Sequence, residues 1–204
     1  MTAQTPDALL EFWFANARDD AIAHAARNAV WFNPDPSFDQ TLRERFSELL
    51  VRAQAGELKR WKLSAAGTLA LIVLFDQIPR NIFRATAQAF ACDARALALA
   101  RDGVAMGIDQ DLSISERMFF YLPFEHAEDR EAQVKSIDCF TRLHADTDAP
   151  FRPLTAAALH HAQTHHDLIA RFGRFPHRNL ILDRNSRPEE IAWLGAHGGS
   201  FGQA

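Results

Sequence analysis

The chain predicts an all-α fold, and three observations carry that expectation. Helix caps recur from one end to the other, at Thr5-Pro6, Ser64, Asp93, Ser113-x-x-Glu116 and Ser186-x-x-Glu189. Pro or Gly stands near the point where most of the punctuated segments stop, as at Gly56, Pro79, Gly103, Pro123 and Gly173. No run of alternating polar and apolar residues is long enough to make a strand.

Taken in order, Thr5 caps a helix with Pro6 at its first position, running through about Ala17 with Leu9, Leu10, Trp13 and Phe14 on the inner face. Pro34 and Pro36 interrupt the chain. Ser37 to Ala55 then forms an amphipathic helix that ends at Gly56, its stripe built by Leu42, Phe46, Leu49 and Leu50. Ser64 caps a helix that is apolar on all sides up to Phe75, hence central, and Pro79 ends it. Asp93 caps a helix stopping near Gly103. The capping box at Ser113 and Glu116 opens the next one, which reaches Leu122 before Pro123. Glu128 to His144 follows, with Glu128 and Asp129 as favourable first-turn charges, and then Leu154 to Phe172. A short last helix carries Ile191, Trp193 and Leu194 and ends at Gly198-Gly199. About eight helices on short loops make one domain over 1–204, built of antiparallel helix pairs.

Composition excludes several function classes. A formal net charge of -4 and the absence of a polybasic tract argue against nucleic acid as a partner. The longest apolar run, Ala65 to Phe75, falls short of the roughly 18 residues a membrane span needs. Cys92 and Cys139 are too few and too far apart for a disulfide framework, and Asp7 and Glu11 sit where a secretory leader would be basic. The cytoplasm is the expected compartment. No cofactor is assigned by any motif.

Three stretches carry unusual chemistry. The first, Asp76 to Arg84, places Asp76 at the end of an apolar helix, where the negative macrodipole disfavours a carboxylate and calls for a cation. Arg80 and Arg84 are near in sequence, and Arg178 is a distant partner. Asp76 is a candidate general base or a carboxylate that orients a ligand-gripping Arg, or else half of a buried pair locking the turn; Asn81 stands beside Arg80. The second, Phe119 to Asp129, sets Glu125 and His126 on a turn after Pro123, the usual equipment for proton transfer near neutral pH. The third runs from His165 to Asn179, and its end, Arg171-Phe172-Gly173-Arg174-Phe175-Pro176-His177-Arg178-Asn179, packs cationic donors around Gly173 and Pro176. Arg174, Arg178 and Asn179 are candidate anion ligands and His177 a candidate proton carrier, against a simpler role for the arginines in capping the last carbonyls.

His161 and His165 share a helix face and are expected to point inward, as hydrogen-bonded core histidines, as pocket groups with His165 a candidate proton carrier beside His126 and His177, or as metal ligands. The metalloprotease pattern needs Glu after the first His, and Ala162 stands there, so no metal site is assigned.

In order and spacing these three stretches resemble a widespread, mainly bacterial family of uncharacterised proteins whose fold is an α-superhelix of tetratricopeptide-repeat type. The resemblance covers about Leu9 to Trp193. It implies the fold and no activity. Ile78 stands where such proteins often carry Phe, and Asp183 where Gly is common. The repeat's own period of roughly 34 residues is not visible here.

Two functions follow. One is a small-molecule enzyme or ligand-binding protein whose Arg, His and Asp pocket takes a compact phosphate or carboxylate compound. The other is a helical-repeat scaffold holding a peptide or protein in its concave groove. Concentration of polar residues at three helix ends favours the pocket.

Overall fold

The structure is a computed structural model that describes residues 5–197. Among these residues it is helical throughout, with no strand. Nine helices succeed one another: α1 Pro6–Phe14, α2 Ala21–Phe32, α3 Pro36–Gln54, α4 (Ala65–Ile72, continued through a π-turn at Val73–Gln77 into Ile78–Ile82), α5 Asp93–Met106, α6 Ile114–His126, α7 Arg130–Ala145, α8 Arg152–Phe172 and α9 Pro188–His197. None of the described helices is long and apolar enough to cross a membrane. The expected stop at Gly198-Gly199 lies outside the described residues.

Three of the expected caps, at Thr5, Ser64 and Ser113, form as their residue types require, while the Ser186–Glu189 box does not: the last helix starts at Pro188, and Glu190 accepts from the Arg187 amide. Thr5 accepts from the Ala8 amide, and Ser113 and Glu116 close a reciprocal capping box. The core is aromatic. Trp13, Phe14, Phe119, Phe120, Tyr121, Phe124 and Phe140 are each at most 2% exposed, and burying each side chain contributes about 1.5–3 kcal/mol.

α2 is the helix the sequence pattern conceals. Only His24 and Trp31 are buried along it, so it has no stripe. Its work is polar: Asp20 caps it, Arg27 donates to the carbonyls of Trp13 and Phe12 at 2.5 and 2.6 Å, and the Trp31 indole donates to Trp13 at 3.0 Å. These donors satisfy carbonyls that the end of α1 leaves open.

Three expected helix stops move. Gly103 lies inside α5, because a Cβ there would meet the Phe120 ring at 2.4 Å; the helix ends at Gly107, which has φ 73°. Pro123 lies inside α6, held by the buried aromatics around it. Glu125 is therefore a helical residue and not a turn residue, and His126 ends the helix. The buried Gln133 amide caps that end, donating to the carbonyls of Phe124, Glu125 and Ala127. Pro79 does not end α4 either. Proline removes an amide from the ladder and crowds the carbonyl four residues back, and the chain answers by widening into a π-turn, with Ile78 donating to Val73. The carbonyls of Asp76 and Gln77 are taken by the side chains of Arg80 and Asn81 at 2.6 and 2.9 Å.

Candidate functional site

Asp76 is thus not at a helix end but in the π-turn, with no solvent exposure. His126 Nδ1 donates to both its oxygens, at 2.8 and 3.0 Å, Arg80 Nη1 lies 3.1 Å from Oδ1, and the Gln77 amide donates to Oδ2. Burial pushes the Asp76 carboxyl up, but Arg80 and His126 outweigh it and hold the group well below the usual range, ionised. With Nδ1 committed to Asp76, His126 keeps Nε2 as its acceptor. Burial lowers the imidazole's pKa; Asp76 works against that, and Arg80 and Arg178 reinforce it.

Arg80 grips a second carboxylate. Its Nη1 and Nη2 bond the two oxygens of Asp93 at 2.8 and 2.9 Å, a bidentate fork. Burial lowers its pKa, yet Asp76 and Asp93 win and raise it. Asp93 was expected as a helix cap. It makes no capping bond, because its carboxylate serves this arginine.

Arg178 is 6% exposed, and its guanidinium carbon lies 4.6 Å from the Phe90 ring centre and 4.5 Å from that of Phe175. Among the described residues Asp93 is its one ion-pair partner, at 3.6 Å, through the oxygen that Arg80 Nη2 already bonds. Its Nε has no hydrogen-bond acceptor among them. Burial, then Arg80, lower its pKa to about 10, so it stays cationic at neutral pH. Asp76 and Arg178 are therefore joined through Arg80 and Asp93, without the direct pair that charge alone suggested.

Three further groups complete the surroundings. Burial, followed by the charge on Asp76, pushes Glu125 up to about 8. Burial lowers His165 and His177 to about 3. His165 Nδ1 donates to the His161 carbonyl at 2.9 Å and lies 3.2 Å from Glu125 Oε1. At neutral pH that contact joins two uncharged groups. His161 itself is exposed, against the expectation that both histidines turn inward.

These residues enclose one cavity of about 70 Å³, lined by Gln77, Arg80 and Asn81 from α4, His126 from α6, His165 from α8, and His177 and Arg178 from the short turn Pro176–Arg178. Trp31, Phe32, Arg84 and Phe90 complete its wall. That volume holds a few waters or one compact ligand.

Arg174, Asn179 and Glu125 stand off the cavity wall. Arg174 forks onto Glu190 at 2.8 and 2.9 Å, and Asn179 donates to Ser186 and Glu190, so both tie the loop to α9. Glu190 is fully buried and attracts both. Glu128 is not a first-turn charge; it precedes α7, accepts from the Phe175 amide, and pairs with Arg184 at 2.6 Å. Glu125 lies behind His165 and does not line the cavity. Sequence reasoning missed Asp93, Phe90, Gln77, Trp31 and Phe32. Only Gln77, within the first stretch, carried a signal.

Residues 9–198 match the model of a family described as bacterial proteins of unknown function, DUF924. The chain belongs to this family. All the cavity-lining residues fall within the part matched to DUF924. The fold is also similar to a solved structure, a protein of unknown function from Agrobacterium tumefaciens. That similarity has a TM-score of 0.78 and 39% sequence identity, and covers 95% of this chain and 97% of the other. No curated protein matches the chain.

Proposed function

We propose that the cavity binds a compact anionic compound, a phosphate or a carboxylate. One observation carries the reading: Arg178 is a buried guanidinium whose nearest carboxylate is 3.6 Å away and already engaged by Arg80. A buried guanidinium is costly unless its donors are satisfied, and a bidentate anion satisfies them. The flanking rings of Phe90 and Phe175 fix its plane, which favours a two-point grip over a loose ion pair. Cavity volume sets the size class. A protein of net charge -4 offers no long-range attraction to polyanions, which agrees with a small ligand and not nucleic acid.

The test is a thermal-shift and calorimetric screen of inorganic phosphate and small phosphorylated and carboxylated metabolites. Arg178→Lys keeps the charge and loses the planar fork, so affinity falls by about 1.5 kcal/mol, roughly tenfold. Stabilisation by no anion, with a peptide or protein partner captured instead, transfers the case to a helical-repeat scaffold. The cytoplasm is the proposed compartment, a reading supported by the free, buried state of Cys92 and Cys139.

A further inference from the structure

We propose that the cavity is a hydrolytic site in which His126 acts as general base on a small carboxylic ester that also carries an anionic group. The proposal rests on the anion pocket, since Arg178 holds the substrate's charge. Asp76 fixes the imidazole through bonds of 2.8 and 3.0 Å to Nδ1. The remaining ring nitrogen, Nε2, is then a basic acceptor, and His126 is on the cavity wall. Burial keeps the imidazole uncharged at neutral pH, ready to accept a proton, while the ionised Asp76 stabilises the imidazolium once it forms.

The wall also shows what attacks. Among the described residues the eleven that line the cavity include no Ser, Thr, Cys or Lys, so water is taken as the nucleophile. The water oxygen adds to the ester carbonyl carbon as one of its protons passes to His126 Nε2. The tetrahedral intermediate then collapses, the carbon–oxygen bond to the alcohol breaks, and His126 returns the proton to the departing alkoxide. Acid and alcohol leave, and the imidazole is neutral again. A second, independent feature agrees: Asp76 sits in a π-turn, a distortion that recurs at functional sites.

The experiment uses three half-esters, monomethyl malonate, succinate and glutarate, followed by pH-stat at pH 7.5. Wild-type protein is expected to hydrolyse at least one. His126→Gln keeps a donor for Asp76 and removes the basic nitrogen, so kcat should fall about 10²–10⁴-fold with KM retained. Asp76→Asn should lower kcat without raising KM, the mark of a positioning residue. Arg178→Lys should raise KM, and inorganic phosphate should compete with substrate. If wild type is no faster than His126→Gln on all three esters while phosphate still stabilises the protein, hydrolysis is overturned and the anion pocket stands. If hydrolysis depends on His126 but ignores both phosphate and Arg178→Lys, the anion grip is overturned.

Discussion

Asp93→Asn separates a ligand pocket from a structural polar network, because the two make opposite claims about it. In the native protein Asp93 balances two buried guanidiniums, bonding Arg80 at 2.8 and 2.9 Å and lying 3.6 Å from Arg178. Removing one partner of a buried pair costs about 3–5 kcal/mol. Arg80 keeps Asp76 at 3.1 Å, and Asp93 is 21% exposed, so the lower end, about 3 kcal/mol, is expected here. Urea unfolding followed by circular dichroism measures it. A structural network predicts that loss and nothing more. A pocket predicts, in addition, that the uncompensated cations bind phosphate more tightly than wild type, and that saturating phosphate restores stability. At a hundred times Kd the restoration is about 2.7 kcal/mol, nearly the whole deficit. Wild-type stability in Asp93→Asn, or phosphate binding no tighter than wild type, refutes this account of Arg178.

Two further outcomes follow from burial. Glu125 has its pKa raised from 4.5 to about 8, so the folded protein holds a proton that the unfolded chain releases. Its contribution is therefore full below about pH 4.5 and is lost as pH rises through 8. Glu125→Gln, uncharged throughout, should remove that falling limb and be at least as stable as wild type at pH 8 by urea titration. Gly103→Ala brings a Cβ to within 2.4 Å of the Phe120 ring. Overpacking of about 1–3 kcal/mol should exceed the roughly 1 kcal/mol of helix propensity gained, and the variant should melt lower.

Most of the fold was legible because caps are local. Thr5, Ser64 and Ser113 each cap a helix by a bond to an amide three residues on, so a window of four residues contains the whole mechanism. α2 was not legible, since its stabilising contacts run across the chain, from Arg27 and Trp31 to carbonyls near Trp13. The site divides the same way. Asp76, Arg80, His126 and Arg178 stood out as polar residues at odd places in apolar or constrained segments. Asp93 did not, because an acidic residue opening a helix is ordinary, and its real partner is thirteen positions back. Arg174 and Asn179 looked like ligands for the opposite reason: a dense cationic loop gives no sign that Glu190 will neutralise part of it.

The mistaken helix stops bear on function. Pro79 and Pro123 each read as a terminus, and each is instead enclosed in a helix that carries on for several residues. Continuing past a proline leaves helix carbonyls without their usual amide donors. On α4 the neighbouring carbonyls are served by Arg80 and Asn81, both of which face the cavity. On α6 the last carbonyls, open because the helix ends there, are capped by Gln133, and His126 is left at the helix end facing Asp76. A structure selected only for stability gains nothing from a π-turn and a helix end meeting across a buried carboxylate and imidazole, since an apolar pair of similar volume is often as stable. Local rules fail together where a site needs side chains that regular helices do not present. Here they fail at the two positions that bring Asp76 and His126 within 2.8 Å of each other.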